Sequence, residues 1–392
     1  MLREGGAAAM RLGVNGWRLH GALTGVGRYL SNVMRYWDEE AVAGRFERVT
    51  LYTPAPVDRE AFRLPATIHE RVLSPHWRML VWENLRLGPT VSDDVLFCPS
   101  FSRPLFARGR TVVTTFEATE KLHPKFYPRR TRVLYTPLHG WSAGHASLVV
   151  TATETAKHDI VRAYGVPEER IRVVPLAPAE LFRPLADGAA RETAARYLGT
   201  EAPYFLFVGK LTARRNVPVL MEAFAELKRR RSLPHKLLVV GLNTTGLDID
   251  ALAARFGIEA DFRYVDYVPD VDLNLLYNGA EAFVMPYSYE ALSLTALEAQ
   301  AAGTPVITAD APGLREQTGG HGVFVPDVGV VEIAEAMDRL ARDAALRGEL
   351  VANGLAHAQR FTWERCSLDT LAVLAEAARL RVREERGAAR HA

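Results

Sequence analysis

Short segments rich in β-branched and aromatic residues alternate along the chain with amphipathic stretches such as Val26–Trp37, whose apolar residues are spaced three and four apart. Strands that are apolar nearly throughout and alternate with helices are typical of parallel sheets covered by helices on both faces. The sequence therefore predicts an α/β fold with two doubly wound, Rossmann-like sheets. The predicted strands of the first series are Arg11–Asn15, Arg48–Thr53, Thr111–Thr115, Ser147–Thr151 and Arg172–Pro175, and those of the second are Tyr204–Val208, Lys236–Val240, Phe262–Val265, Ala282–Met285, Pro305–Thr308 and Gly322–Val325.

The two strand series are separated by Arg183–Pro203, an Ala- and charge-rich stretch that we interpret as a linker. A length of 392 residues suits two domains. We predict an N-terminal domain over residues 1–185, a C-terminal domain over residues 186–361 and a last segment, 362–392, with an amphipathic helix from Thr362 to about Arg383. Open α/β sheets bind ligands outside the carboxyl ends of their strands, so two such sheets predict a cleft between the domains.

Composition narrows the class of protein. Hydrophobic residues make up 48% and charged residues 24%, which excludes a disordered chain, and a net charge of +2 gives no reason to expect a nucleic-acid partner. Cys98 and Cys366 fit a reducing compartment, residues 1–10 do not resemble a signal peptide, and no run of 18 apolar residues occurs. The expectation is a cytoplasmic protein.

Two segments carry the features of a phosphate site. Thr24-Gly25-Val26-Gly27 precedes a predicted helix, where glycines and unpaired N–H groups suit either a phosphate contact or a plain tight turn. Gly209–Asn216 directly follows a predicted strand and contains Lys210, Arg214 and Arg215. Cations at the carboxyl end of a strand suit a diphosphate, and the alternative is a solvated loop.

Pro286–Ala299 contains two glutamates, Glu290 and Glu298, eight residues apart at the start of a helix predicted from about Leu292. That spacing is roughly 12 Å along a helix axis, similar to the distance from the hexose of a nucleotide-sugar to its ribose. Each carboxylate can accept hydrogen bonds from vicinal hydroxyls, and apolar neighbours are expected to half-bury Glu298. A surface helix with an ordinary N-terminal Glu is the alternative.

Together these segments resemble glycosyltransferase family 4, the retaining, nucleotide-sugar-dependent enzymes of GT-B fold, and in particular its mannosyltransferase-like members. The resemblance covers nearly the whole chain and implies two Rossmann-like domains facing an interdomain cleft, with the C-terminal helix returning to the first domain. The matching stretches are GVNGWRLHGALTGVGRYLSNV, VVTATETAKHDIVRAYGVPEERIRVVPLAPAELFRP, FLFVGKLTARRNVPVLMEAFAELK, YEALSLTALEAQAAGTPVITADAPGLREQTGGHGVFVPD and FTWERCSLDTL.

The resemblance implies a role for each candidate site residue. It assigns Glu290 to the hydroxyls of the donor sugar, Glu298 to the ribose, and Lys210 and Arg215 to the diphosphate. It also implies no metal and no cofactor. The remaining donor-binding positions that it implies are Gly25 and Gly27 in a loop that closes over the phosphates, the backbone N–H groups of Leu292, Ser293 and Leu294 at the anion, and Tyr267 and Val268 near the base.

The implied reaction moves a sugar from a GDP- or UDP-sugar to a sugar or lipid-linked acceptor in polysaccharide, glycolipid or glycoconjugate biosynthesis. The loops over residues 62–84 and 117–132 are expected to shape the acceptor pocket. Their basic and aromatic content is consistent with peripheral association with the inner face of the membrane, and a plain surface loop is the alternative.

Several positions depart from the family pattern. Phe116-Glu117 stands where the family has His-Asp, Ala291 and Ser293 replace glycines, and Thr295 replaces a common Pro; His123 is a candidate substitute for the missing His. Two alternatives therefore stay open: a non-catalytic nucleotide-sugar-binding protein and a sugar-nucleotide 2-epimerase.

Overall fold

The computed structural model describes residues 10–21, 25–185 and 187–380, which divide into two units. The first unit runs to Pro175 and resumes at Trp363, and the second spans Leu176–Thr362. The predicted boundaries after residues 185 and 361 correspond to the observed boundaries after Pro175 and Thr362.

The sheet of the first unit contains seven parallel strands in the order β3-β2-β1-β4-β5-β6-β7. β1 has β2 and β4 on its two sides, with Leu12 opposite both Val49 and Val95. The strand order reverses between β1 and β4, and this is where an open sheet forms a crevice at its carboxyl edge. The strands are β1 Arg11–Asn15, β2 Arg48–Thr53, β3 Ile68–Val72, β4 Val95–Cys98, β5 Arg110–Thr114, β6 Leu148–Thr151 and β7 Ile171–Val173.

The sheet of the second unit contains six parallel strands in the order β10-β9-β8-β11-β12-β13. Its order reverses between β8 and β11, so the loops after these two strands flank the crevice. β8 and β11 are buried along their whole length, as expected for strands covered on both faces. The strands are β8 Tyr204–Val208, β9 Lys236–Val240, β10 Phe262–Val265, β11 Ala282–Met285, β12 Val306–Ala309 and β13 Val323–Val325.

Helices connect the strands of both sheets. Those of seven or more residues in the described part of the chain are α1 Gly25–Met34, α2 Thr136–His145, α3 Glu154–Tyr164, α4 Asp187–Leu198, α5 Val217–Arg230, α6 Ile249–Phe256, α7 Asp270–Gly279, α8 Leu294–Ala301, α9 Pro312–Thr318, α10 Val330–Arg342, α11 Ala344–Ala358 and α12 Trp363–Arg379. Single turns cover Trp17–Leu19, Glu39–Val42, Met79–Trp82, Glu83–Leu87, Gly88–Thr90, Thr119–Leu122, Pro124–Phe126, Thr131–Tyr135, Glu168–Arg170 and Ala213–Arg215. None of the described helices is long and apolar enough to cross a membrane.

The predicted strands are all present, with ends within two residues of those predicted, which confirms the α/β fold with two parallel sheets. Two strands were missed. β3 is an edge strand with a largely exposed, polar sequence (IHERV), so it lacks the pattern expected of a buried strand. β4 (VLFC) is a continuous run of four buried apolar residues, so it shows that pattern and was overlooked.

The stretch predicted as a linker forms α4 instead, which packs on α7 within the second unit. Its small residues Ala190 and Ala194 are buried, and the Tyr197 hydroxyl donates to Asp272 Oδ2 over 2.7 Å. The linker interpretation is therefore wrong, because an Ala-rich helix with alternating charges has the composition of a flexible segment while still burying one narrow face.

The last described helix, α12, packs within the first unit against α1 and strands β4, β5 and β6. Leu371 and Leu374 are fully buried, and the Ser367 hydroxyl donates to the carbonyl of Val33 over 2.5 Å. At its other end Arg172 Nε donates to Glu376 Oε2 over 3.1 Å. The helix ends at Arg379, and the predicted continuation to about Arg383 lies outside the described residues.

Candidate functional site

The crevice of the second sheet is flanked by the loop after β8 and the loop after β11. Gly209 directly follows β8 with φ +144°, and its N–H donates to the carbonyl of Val240 over 2.8 Å. A Cβ at this position would lie 2.2 Å from Arg215 Nη1 and 3.2 Å from the Tyr287 hydroxyl oxygen. Glycine is therefore required here, both for its backbone conformation and so that these two side chains can lie over the strand end.

Hydrogen bonds tie the two loops to each other. Asn216, with φ +47°, donates from Nδ2 to the carbonyl of Pro286 over 2.8 Å and to Ser288 Oγ over 2.6 Å. The backbone N–H of Ser288 donates to the carbonyl of Arg214 over 2.9 Å. The turn Ala213–Arg215 is thereby held against the β11 loop, which fixes where its two arginine side chains start.

Glu290 is the buried anion of the crevice, with only 4% of its surface exposed. Arg214 Nη1 donates to its Oε1 over 2.9 Å, and Arg215 Nη2 lies 3.7 Å from its Oε2. Burying a carboxylate costs free energy unless it is paired, and two half-buried guanidinium groups supply that pairing. Two cations facing one anion leave these three residues with a net positive charge, which suits an anionic ligand.

The remaining contacts of Arg215 fix its guanidinium group. Its Nη1 donates to the carbonyl of Lys210 over 3.3 Å, and its guanidinium carbon lies 5.0 Å from the ring centroid of the buried Tyr287. Burial raises the pKa of the Tyr287 phenol, while the positive charge of Arg215 opposes that rise. The ring is therefore a neutral platform that holds the arginine through a cation–π contact.

Of the two predicted cations, Arg215 and Lys210, the structure brings only Arg215 into contact with Glu290. Lys210 is exposed on the same loop, and its ammonium makes no ion pair with a described carboxylate. Arg214, which makes the shorter contact to Glu290, was noted among the loop cations but given no role. The signal that could have found it is its place beside Arg215 at the same strand end.

The predicted helix start at about Leu292 lies at Leu294 in the structure, where α8 begins with Ser293 as its N-cap. Of the three backbone N–H groups assigned to an anion, that of Ser293 donates to Gln317 Oε1 over 3.3 Å, so this assignment needs correction. The contact follows from packing, since a Cβ at Gly313 of α9 would lie 2.3 Å from the carbonyl oxygen of Glu290. Leu292 and Leu294 are half-buried beside it.

Glu298 lies on α8 between buried Leu297 and Ala299 and is half-buried, as predicted. Burial raises the pKa of the Tyr277 phenol, the negative charge of Glu298 raises it further, and Arg215 acts in the opposite direction. Glu298 and Arg215 therefore act electrostatically on the same buried ring.

The remaining candidate positions follow β10 in the second unit and begin α1 in the first unit. Tyr267 and Val268 follow β10, with Tyr267 70% exposed and Val268 buried. Gly25 and Gly27 belong to the first turn of α1 and not to a loop before it, and their role at the donor phosphates stays a prediction. Residues 22–24, which include Thr24, lie outside the described residues. A Cβ at Gly25 would meet no atom within 4 Å, so packing does not require glycine there.

Phe116, at the position of the family's His, is a core residue of the first unit. Its ring packs edge-on against Tyr29 at 5.0 Å between centroids, and it is 9% exposed. His123 follows the short turn Thr119–Leu122, and burial lowers the pKa of its imidazole. Among the described residues no group of three or more His, Cys, Asp or Glu is arranged to hold a metal ion.

The crevice of the first sheet contains a buried carboxyl group that the sequence analysis missed. Glu83 is fully buried and accepts hydrogen bonds from Asn15 Nδ2 over 2.8 Å and from the Ser102 hydroxyl over 2.9 Å. Arg18 Nε donates to Ser100 Oγ over 2.7 Å beside it. Asn15 ends β1 and Ser102 follows β4, and both are far from Glu83 in sequence, so no local pattern could reveal these partners.

Burial raises the pKa of Glu83 from 4.5 to about 7, which makes stability depend on pH. The folded protein holds this proton more tightly than the unfolded chain, so its contribution is complete below pH 4.5 and is lost as the pH rises through about 7. We expect the free energy of unfolding to fall by about 3 kcal/mol across this window from this group alone. Glu83→Gln, which stays neutral, should flatten the dependence in urea unfolding curves.

Glu60→Gln is the matched control, because Glu60 is an exposed carboxylate of the same unit. It should keep the wild-type pH dependence. An unchanged slope in the Glu83 variant would mean that the buried carboxyl group is ionised throughout this range.

Two family models of glycosyltransferases match this chain, one in each unit. Residues 23–177 match the family model described as Glycosyltransferase Family 4, and residues 191–357 match the one described as Glycosyl transferases group 1. The chain is 28% identical over 370 residues to the O-antigen chain mannosyltransferase B of Escherichia coli, covering 89% of this chain and 95% of that protein.

Other relatives match over less of their length. A D-inositol 3-phosphate glycosyltransferase of Streptomyces bingchenggensis is 34% identical over 247 residues, which is 60% of this chain and 54% of that protein. The chain thus spans about half the length of these relatives. Among solved structures, Anabaena HepE in complex with UDP and glucose is similar with a TM-score of 0.70 and 17% identity, over 93% of this chain and 99% of that one.

Proposed function

Because the chain belongs to the glycosyltransferases that combine a Family 4 domain with a group 1 domain and has the GT-B fold, we propose that it moves a sugar from a nucleotide-diphosphate sugar to an acceptor hydroxyl with retention of configuration and without a metal ion or cofactor. The observation that carries the proposal is the pairing of Glu290 with Arg214 and Arg215 at the carboxyl ends of β8 and β11. This is the place where an open sheet binds its ligand.

In the proposed reaction the bond between the anomeric carbon and the diphosphate breaks, and the leaving diphosphate takes the electron pair. Negative charge grows on the phosphate oxygens, where Arg215 and the exposed Lys210 stabilise it. The acceptor oxygen bonds to the same face of the anomeric carbon, and its proton passes to the departing phosphate. Since the guanidinium group of Arg215 is held before the reaction, it needs no reorganisation as the charge develops.

Glu290 has two parts in this proposal. Its carboxylate holds the guanidinium groups of Arg214 and Arg215 in place, and it accepts hydrogen bonds from hydroxyls of the donor sugar. Glu298, on α8, accepts from the ribose hydroxyls. The exposed ring of Tyr267, beside buried Val268, stacks on the base, and the N–H groups of Leu292 and Leu294 contact the anion.

The donor is a GDP- or UDP-sugar, and the HepE complex with UDP and glucose supports a nucleotide donor for this fold. The name of the Escherichia coli relative supports a role in polysaccharide or glycoconjugate biosynthesis with a sugar or lipid-linked acceptor. A cytoplasmic enzyme at the inner face of the membrane would meet both substrates.

Thermal unfolding with nucleoside diphosphates and their sugars tests donor binding. A ligand at about 100 times its Kd adds about 2.7 kcal/mol, and we expect one of the UDP or GDP series to raise Tm by several degrees. Glu298→Ala should weaken that ligand about tenfold, because a hydrogen bond to a charged group is lost. Glu222→Ala, an exposed helical glutamate of the same unit, should leave it unchanged.

The products then distinguish the open alternatives. Release of nucleoside diphosphate with transfer to an acceptor, in the presence of a chelator, supports the proposal. Tight binding without turnover would instead indicate a non-catalytic protein, and formation of an epimeric sugar nucleotide without an acceptor would indicate an epimerase. A Tm that no nucleotide changes would contradict the donor site.

A further inference from the structure

Two positions at which the chain departs from the family pattern are in contact with each other. Ser293 stands in place of a glycine and Thr295 in place of a common proline, and their hydroxyl oxygens lie 3.0 Å apart. Ser293 is 4% exposed, and Thr295 is half-buried. Glycine and proline have no hydroxyl groups, so this contact is particular to the present chain, and it has no part in the reaction proposed above.

The side chain of Ser293 is not used to cap the helix that it begins. A serine at an N-cap ordinarily accepts a hydrogen bond from an N–H group of the first turn, but Ser293 makes no such bond to α8. Its Oγ lies 3.0 Å from Thr295 Oγ1 and 4.0 Å from Met285 Sδ. Because a thioether sulfur is the weaker acceptor, the hydroxyl of Ser293 is directed to Thr295.

The hydroxyl of Thr295 also reaches the phenol of Tyr287, the ring that holds Arg215. Burial raises the pKa of this phenol, and a hydrogen bond from Thr295 is among the contacts that oppose the rise. The Tyr287 hydroxyl in turn donates to the carbonyl of Val208, the last residue of β8, over 3.2 Å. Its buried ring packs edge-on against Phe207 at 6.1 Å between centroids. The phenol is therefore held at its oxygen as well as along its ring.

The direction of these hydrogen bonds follows from the group at the end of the chain. A carbonyl oxygen can only accept, so Tyr287 donates its single proton to Val208, and its own oxygen accepts from Thr295. Since Thr295 gives its proton to Tyr287, its oxygen is left to accept from Ser293. The bonds therefore run in one direction from Ser293 to Val208, and hydrogen bonds that do so polarise and strengthen one another.

The phenol at the end of this chain lies beneath the cation proposed for the diphosphate. The guanidinium carbon of Arg215 lies 5.0 Å from the ring centroid of Tyr287, and a Cβ at Gly209 would crowd both side chains. Arg215 Nε is buried and has no hydrogen-bond partner among the described residues. The orientation of the guanidinium group therefore depends on the ring together with Glu290 and the carbonyl of Lys210.

We propose that Thr295 is a positioning residue of the donor site: its hydroxyl, oriented by Ser293, holds the phenol of Tyr287 and thereby directs the guanidinium group of Arg215 at the diphosphate. The inference rests on the proposed function, since it concerns a cation assigned to the donor. Thr295 acts through Tyr287 and does not itself contact the diphosphate. A group displaced by about 1 Å can cost about 100-fold in rate, so a single hydroxyl that restrains the ring has a measurable effect.

The affinity for UDP and GDP tests the proposal without turnover, because a free nucleoside diphosphate has the charge that the leaving group acquires. Thr295→Val removes the hydroxyl and keeps a branched side chain, and it should weaken whichever nucleotide the wild type binds about fivefold. In sugar transfer the same variant should lower kcat about tenfold with a smaller change in the KM for the donor. Thr295→Ser keeps the hydroxyl and should restore both values to within about twofold of the wild type.

Thr304→Val is the matched control. It removes a buried hydroxyl that donates to the carbonyl of Tyr277 over 2.6 Å, beyond the C-terminal end of α8. It should lower stability and leave the affinity for UDP and GDP unchanged. Equal losses of affinity in Thr295→Val and Thr304→Val would overturn the proposal.

A double-mutant cycle then tests whether Thr295 acts through Arg215. In the Arg215→Ala background, Thr295→Val should change the affinity less than about twofold. The same fivefold loss in both backgrounds, a loss that Thr295→Ser does not restore, or wild-type affinity in Thr295→Val would each overturn the proposal.

The proposed function can fail separately from this inference. A wild type that binds UDP or GDP but transfers no sugar would contradict the transfer reaction, and the cycle in affinity would still decide whether Thr295 positions Arg215. A wild type that binds neither nucleotide would contradict the donor site and this inference together.

Discussion

Arg215→Ala is expected to lower kcat for sugar transfer by at least about 100-fold, with a smaller change in the KM for the donor. Arg215 is held by Glu290, by the carbonyl of Lys210 and by the ring of Tyr287, so its charge is in place before the diphosphate leaves. The stabilisation is greatest when the phosphate charge is fully developed, which is why the effect falls on kcat. Release of nucleoside diphosphate under saturating donor measures it.

Arg347→Ala is the matched control for this experiment. Arg347 is also a half-buried arginine of the second unit, and its Nη1 lies 2.9 Å from Glu281 Oε1, at the opposite end of β11 from Glu290. Its loss removes a similar ion pair away from the crevice and should leave kcat near the wild-type value. Similar kcat values for the two variants would remove Arg215 from the proposed mechanism.

Glu290→Gln is expected to lower kcat by about 100-fold and to destabilise the second unit by about 3 kcal/mol. The amide keeps the size of the side chain but leaves the guanidinium groups of Arg214 and Arg215 without their buried counter-charge. The fixed position of the cations is then lost, and the sugar hydroxyls keep one neutral acceptor oxygen in place of two charged ones. Urea unfolding and turnover, measured on the same preparation, separate the two effects.

Glu281→Gln provides the comparison, because Glu281 is a half-buried carboxylate paired with Arg347. It should reduce stability without reducing the turnover of the folded enzyme. A Glu290 variant that is destabilised to the same degree but remains fully active would show that this residue serves only to hold the fold.

The sequence was informative about the site where the relevant residues follow buried strands. β8 and β11 are short, continuous apolar runs that could be predicted as strands, and the segments after them contain Arg215 and Glu290. Both residues could therefore be placed at the carboxyl ends of strands, where open sheets bind ligands, whereas the pairing of β8 with β11 was not predicted. The sequence does not predict which of the two arginines makes the shorter contact with Glu290. That difference depends on the turn Ala213–Arg215 and on the αL conformation of Asn216, and a single sequence does not specify either one.

Residues that act across long sequence distances were the ones missed. Glu83 meets Asn15 and Ser102 only because β1 and β4 are neighbours, and β4 itself was not predicted. The N–H of Ser293 was assigned to an anion because helix starts expose such groups, but the side chain of Gln317 reaches it from α9. The local pattern of hydrophobic residues predicts the helices and strands, whereas these long-range contacts depend on how the helices and strands pack together.

The position of α12 bears on the order in which the chain acquires its structure during synthesis. The ribosome releases Leu176–Thr362 in full before it releases Trp363, so the later unit has all its residues while the earlier one still lacks the helix that contacts Val33 and Trp37. Until that helix emerges, an apolar surface of the nascent N-terminal part is open to water and to chaperones. The half that is translated first is therefore the half that finishes folding last.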